Sequence, residues 1–221
     1  MSLQLDFRKK TDRYFDKTYV AIGNHDLPLR DSINQIYPAS LELDLNTQLV
    51  LMDYEKAPYD LSTSDGNVLI ELLENRQYQN HIIVGHKVWW LGQVLNKGAD
   101  NHNRNYFRST FWEKIFPVIS DNGSNYYFLA GDLGGNDGIP PLYYQRIKNV
   151  QLLGQGIGHS RLKSVLKIEL GSDSLNFLVI DLDTGEEFIL NEGLVKTHMP
   201  EDDTSPSLYS KIFRKIKSIV Y

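Results

Sequence analysis

The chain contains no cysteine. Disulfides and thiolate metal sites are therefore excluded, any metal must be held by His, Asp, Glu or Asn, and a reducing compartment is the default. No stretch approaches the roughly 20 apolar residues that a membrane span needs, and Met1 to Lys10 lacks the apolar run of a signal peptide. A cytoplasmic protein is expected on both counts. An excess of positive charge is missing as well. At a formal net charge of −5 the chain does not read as a general nucleic-acid binder, which would need a basic surface to displace counterions. Neither an internal repeat nor a low-complexity tract is visible.

What is present describes a folded protein. Hydrophobic residues at 41% and charged residues at 23% separate the chain from disordered sequences and are ample for a core. One domain over residues 1–200 is expected, followed at 201–221 by an acidic linker and a basic amphipathic helix.

The opening segment, Leu5 to Lys17, reads as a short helix feeding a strand at Thr18 to Ile22, of a kind normally buried. Pro28 and Arg30-Asp31-Ser32 suggest a turn into a short helix ending near Tyr37. Ser40 to Leu45 alternates polar and apolar residues, Asn46-Thr47 turns, and Gln48 to Asp53 returns, which is a β-hairpin pattern. In Asn67 to Arg76 the residues Val68, Leu69, Leu72 and Leu73 share a helical face. His81 to Val84 reads as a buried strand, 96–105 as a long polar loop, and Tyr106 to Ile119 as a helix whose last turn Pro117 distorts. Tyr126 to Ala130 is a further buried strand.

From Leu142 the texture changes to short β-runs at Tyr143–Ile147, Val150–Leu153, Ser164–Leu170, Asn176–Asp181 and Glu187–Leu190. The expected architecture is layered α/β: a mixed β-sheet with flanking helices, followed by an antiparallel β meander that completes a layer.

Three strands in this pattern end alike, with apolar residues, a glycine and then a polar side chain of ligand type. They are Gly23-Asn24-His25-Asp26, Gly85-His86 and Gly131-Asp132. If the three lie parallel, Asn24, His25, His86 and Asp132 fall along one carboxyl-end rim, where open α/β sheets bind ligands. Imidazole, amide and carboxylate donors suit a hard or borderline divalent cation, which can polarise a phosphoryl oxygen and activate water.

Tyr19 to about Gly135 resembles the latter part of the calcineurin-like metallophosphoesterase superfamily. The third signature of that family, Gly-Asn-His-Asp after a strand, stands intact at Gly23 to Asp26. A hairpin carrying an aspartate follows near Asp53, then a helix and a strand ending in a histidine at His86. The resemblance implies an incomplete metallophosphoesterase β-sandwich, Mn, Fe or Zn type metals, and hydrolysis of a phosphomonoester or phosphodiester, the substrate being a small molecule or linked to a glycan or lipid. It implies Asn24 and His86 as metal ligands, with Asp132 standing as a ligand in place of one histidine of the last signature and Gly134 unable to replace the other. It further implies that His25 contacts the phosphate and protonates the leaving oxygen, with Asp26 orienting His25.

The chain departs from the family in two places. The first two signatures, Asp-x-His and Gly-Asp-x-x-Asp, belong upstream, where only 17 residues without histidine precede the strand. The last, Gly-His-x-His, is here Gly131-Asp132-Leu133-Gly134. Two expectations follow: the C-terminal portion of a split or truncated enzyme, with a partner chain supplying the missing signatures, or a degenerate, non-catalytic homologue serving as an interaction or membrane-surface module.

Plainer roles exist for the same residues. Asn24 or Asp26 could cap a following helix, His86 beside Trp89 and Trp90 could be a hydrogen-bonded core histidine, and His81, His102, His159 and His198 read as surface or structural. Gly154-Gln155-Gly156-Ile157-Gly158 lacks the helix and acidic residue of a dinucleotide site and reads as a glycine-rich turn beside the rim. In the tail, Leu208, Ile212, Ile216 and Ile219 mark one helical face against Lys211, Arg214, Lys215 and Lys217. Such a helix docks on its own domain or a partner, or lies on an anionic membrane.

Overall fold

A computed structural model describes residues 19, 21, 37–52, 64–86, 88, 90, 110–131, 133, 142–156, 164–171, 175–191, 194 and 195. The expected opening strand and the helices before Lys17 and Tyr37 fall outside these, apart from Tyr19, Ala21 and Tyr37. The polar loop at 96–105 and the tail from 196 also fall outside them.

The hairpin forms where the alternation places it, as β1 (Ala39–Asp44) and β2 (Thr47–Leu51), paired antiparallel. Its turn is one residue earlier than expected, because the Asp44 carboxylate accepts the Asn46 amide at 2.7 Å and frees Thr47 to start β2. Helix α1 (Ser64–Glu74) precedes β3 (Asn80–Gly85). A helical segment at Thr110–Ile115 leads into α2 (Phe116–Ile119) and β4 (Asn125–Ala130). The regular helix expected over 106–119 is instead π-wound through 110–115. Pro117 explains a departure of this kind, since it has no N–H to give to a carbonyl one turn back.

Strands β5 (Leu142–Ile147) and β6 (Val150–Gln155) correct the expected layering. They form a hairpin, but β6 pairs parallel with β4, so both join the first sheet and not the meander. Among the described residues that sheet has six strands in the order β1-β2-β3-β4-β6-β5. Its four inner strands are parallel and both edges antiparallel. The meander proper is β7 (Ser164–Leu170), β8 (Leu175–Asp181) and β9 (Glu187–Ile189).

Successive side chains on a strand point to opposite faces, and the contacts show what covers each. On one face Tyr126 donates its hydroxyl to the Leu73 carbonyl of α1 at 2.6 Å, and Phe128 meets Phe111 edge to face at 5.1 Å. On the other, Tyr127 packs on Phe177 of β8 with ring centroids 5.1 Å apart. The layers are therefore helices, six-stranded sheet and three-stranded sheet. Being covered on both sides, β3 and β4 carry the near-continuous apolar runs of buried parallel strands.

The amino ends of the strands are tied together by Asn149 in the β5–β6 turn. Its Nδ2 donates to the carbonyls of Ile119 at 2.8 Å and Ser124 at 2.6 Å, and its Oδ1 accepts the Asp121 amide at 3.0 Å. Asn149→Ala removes all three bonds and is expected to cost about 1–3 kcal/mol, since neutral bonds contribute about 1 kcal/mol each and orphaned groups add to the loss. Urea unfolding checks this. Asn149→Asp keeps the acceptor but not the donor, and should recover little.

Candidate functional site

Parallel pairing puts the carboxyl ends of β2, β3, β4 and β6 on one edge of the sheet, the place where open α/β sheets present ligand groups. Strands β3 and β4 finish in register, Gly85 opposite Ala130. Beyond that pair the ladder continues for one more bond, the Gly131 amide donating to the His86 carbonyl at 3.1 Å. Two of the three glycine-then-polar turns thus open side by side on the rim. On the β2 side, Met52 donates its amide to the Val84 carbonyl at 2.9 Å and brings the chain to the residue before Asp53.

His86 is half-buried at the end of β3, with its Nε2 shielded from solvent. Beyond it the chain enters the core at Val88 and Trp90, where the Trp112 indole donates to the Trp90 carbonyl at 3.0 Å. The segment carrying His86 is therefore anchored at both ends. Trp90 and Trp112 are buried core residues, Trp90 lying against Phe111 and Tyr143.

Of the other candidate residues, Asn24, His25, Asp26, Asp53 and Asp132 lie outside the described residues. The burial expected for the opening strand does not hold at Tyr19, which is 42% exposed. Among the described residues no three His, Asp or Glu side chains gather into a metal-binding group. The fit of a metal accordingly rests on donor chemistry: an amide oxygen, an imidazole and a carboxylate suit a borderline divalent cation, and His86 is the member of that set placed at the rim.

The glycines at the end of β6 carry more than the sequence pattern suggests. Residues 154 and 155 are still strand, not turn. Gly154 and Gly156 both lie against Leu133, the residue after Asp132. Glycines alternating near a strand end are a usable signal of close backbone approach.

At the opposite end of the sheet lies a second polar group. His81 is fully buried in β3, between Gln48 of β2 and Tyr126 of β4, and stacks on the Tyr126 ring at 4.7 Å. Gln48 gives its Nε2 to the Ser40 hydroxyl at 2.7 Å, so its Oε1 is the acceptor facing His81 Nδ1 at 2.9 Å. Nδ1 therefore carries the proton of a neutral imidazole. Burial pushes the ring down to about 4 from its ordinary 6.5, the backbone of Tyr78 acting more weakly in the other direction. This is a structural histidine, as its place in the sequence suggests, and it stands away from the rim.

The fold is a strand-rich α/β arrangement with a carboxyl-end rim. Comparison of the chain with family models, with curated proteins and with solved structures finds no match in any of the three. Among the described residues no helix is long and apolar enough to cross a membrane.

Proposed function

We propose that the chain is a metal-dependent phosphoesterase-like protein of the calcineurin-like type, acting on a phosphomonoester or phosphodiester, its sheet layers being an incomplete form of that family's β-sandwich. The observation that supports this best is the adjacency of two turns, His86 and Gly131 joined by a backbone bond at the ends of neighbouring parallel strands.

Asn24, His86 and Asp132 would hold the cation, of Mn, Fe or Zn type. When bound, it supplies polarisation of the phosphoryl oxygen and a water that ionises near neutral pH. The chain's own part is acid catalysis: His25 gives its proton to the leaving oxygen, and Asp26 holds the imidazole in the orientation that allows the transfer. A complete two-metal site of that family would in addition need its Asp-x-His and Gly-Asp-x-x-Asp signatures.

The test combines metal content of the purified chain with hydrolysis of a chromogenic phosphoester at added manganese. His86→Ala is expected to lower manganese affinity, and His25→Ala to lower the rate by about 10²–10⁴-fold while leaving metal bound, the usual contribution of a positioned acid. Metal-free protein with no rate above background, or full activity in His25→Ala, would leave the reading without support. In the first case the non-catalytic interaction or membrane-surface role would take its place; in the second the acid would have to be another residue.

A further inference from the structure

Strand β7 lies at one edge of the three-stranded sheet, paired with β8 along its whole length and, among the described residues, with no strand on its other side. An open edge presents a row of backbone N–H and C=O groups on which another strand can form. The opposite edge is the three-residue β9, whereas β7 runs for seven residues. Short edge strands resist such pairing and long ones invite it.

The side chains of β7 are covered unevenly. Ile168 stands opposite Phe177 and Leu166 opposite Val179 on β8, so all four share the face that packs on the six-stranded sheet. Phe177 and Val179 are buried, but Leu166 and Ile168 are half-buried, and Leu170 on the same face is 44% exposed. The apolar row is closed where β8 flanks it and open along the outer edge. On the other face Lys167 reaches Glu169 of its own strand at 2.9 Å and Glu187 of β9 at 3.3 Å, and Val165 is 41% exposed.

Lys167 and Glu169 flank Ile168, and this makes the edge complementary to itself. When two identical strands pair antiparallel about a two-fold axis at Ile168, residues equally distant from it along the two chains face each other. Lys167 then faces Glu169 of the second copy, while on the inner face Ile168 meets Ile168 and Leu166 meets Leu170. Moving the axis to Lys167 or to Glu169 sets like charges directly opposite, which is unfavourable, so the charges select one register. A lysine in the middle of an edge commonly blocks pairing; here Glu169 answers it.

We propose that β7 is the surface through which the chain pairs with a second copy of itself, joining two three-stranded sheets into one antiparallel sheet in the order β9-β8-β7-β7-β8-β9. The pairing covers the incompletely buried Leu166, Ile168 and Leu170, and it brings Glu169 an ammonium from the second copy while Lys167 keeps Glu187 within its own chain. A contact of one strand pair belongs to the weak, reversible class of interfaces, below about 1,200 Å². It does not depend on the cation reading of the rim.

Sedimentation equilibrium of the full chain at concentrations up to about 1 mM should show reversible monomer–dimer association, and amide exchange across β7 should slow as the concentration rises. Lys167→Glu and Glu169→Lys are each expected to weaken self-association by about tenfold or more, because each sets two like-charge pairs across the strands. An equimolar mixture of the two variants should associate about as tightly as the wild type, and so should the double variant Lys167→Glu/Glu169→Lys, since in both cases every carboxylate of these pairs again faces an ammonium. Glu169→Lys alone decides the matter if Lys167→Glu, which also loses the bond to Glu187, does not fold. A wild-type chain that stays monomeric throughout would overturn the proposal, whether its β7 amides exchange freely or are protected at every concentration by another segment of the chain. A dimer that both reversals leave unchanged, or a mixture that associates no better than either variant alone, would put the contact elsewhere and overturn it as well.

Discussion

Phe128→Ala is expected to destabilise the chain by about 3–5 kcal/mol, the range for removing a large aromatic ring from a packed core. Phe128 lies fully buried in β4, at the centre of the sheet order, and meets Phe111 of the π-wound segment edge to face. The loss combines transfer of the ring, a cavity between sheet and helix layer, and an aromatic contact of about 1 kcal/mol. Against a typical total stability of about 5–15 kcal/mol this is a large fraction. Urea unfolding followed by circular dichroism measures it, and Phe128→Leu should recover much of the loss. A cost below about 1 kcal/mol would mean that the ring does not bridge the layers as described. Because Ala130 ends this strand and Gly131 follows directly on it, the rim should loosen along with the core.

The second large effect is on pH dependence, through His81. Its folded pKa of about 4 lies below the ordinary 6.5, so the unfolded chain binds the proton that the folded chain refuses. Above pH 6.5 both states are neutral at this ring and it contributes no slope. As pH falls from 6.5 to about 4 stability is lost, and below that the loss is complete. Its size is at most about 3 kcal/mol, from 1.36 kcal/mol per pKa unit.

The physical cause is a dry position: Nδ1 is engaged by Gln48, Tyr126 covers one ring face, and Nε2 is buried with no hydrogen-bond partner among the described residues. A charged imidazole would need a second acceptor there. Unfolding free energies at pH 7, 5 and 4 should converge between wild type and His81→Gln as the pH drops. Parallel curves for the two proteins would show that the ring titrates normally.

Much of the strand content was legible because binary patterns act locally. The alternation in Ser40 to Leu45 and the apolar runs at His81 to Val84 and Tyr126 to Ala130 each became a strand within a residue or two of the expected bounds. The meander at β7 to β9 was equally plain, its turns being marked by Gly171 and by Asp183-Thr184-Gly185. The membership of β5 and β6 was not legible. A short apolar strand reads alike whether its neighbour is parallel or antiparallel, and the partner of β6, β4, lies across a long connection.

For the rim, residue order alone marked His86 and the glycine before Asp132 as strand-end positions, since a glycine after a buried run signals where the chain leaves the sheet. Their neighbourhood was decided by tertiary pairing, because only the parallel register of β3 with β4 brings His86 and Gly131 within hydrogen-bond reach. The close approach at Gly156 belongs to the same class. In the sequence it is one glycine of a loose-looking stretch. In the fold it is the only residue type that lets a second backbone come so close. Among the described residues, sequence by itself marked which segments are strands and where a ligand-type side chain ends one; the fold decided which strands meet, since contacts between strands distant in the chain leave no local pattern.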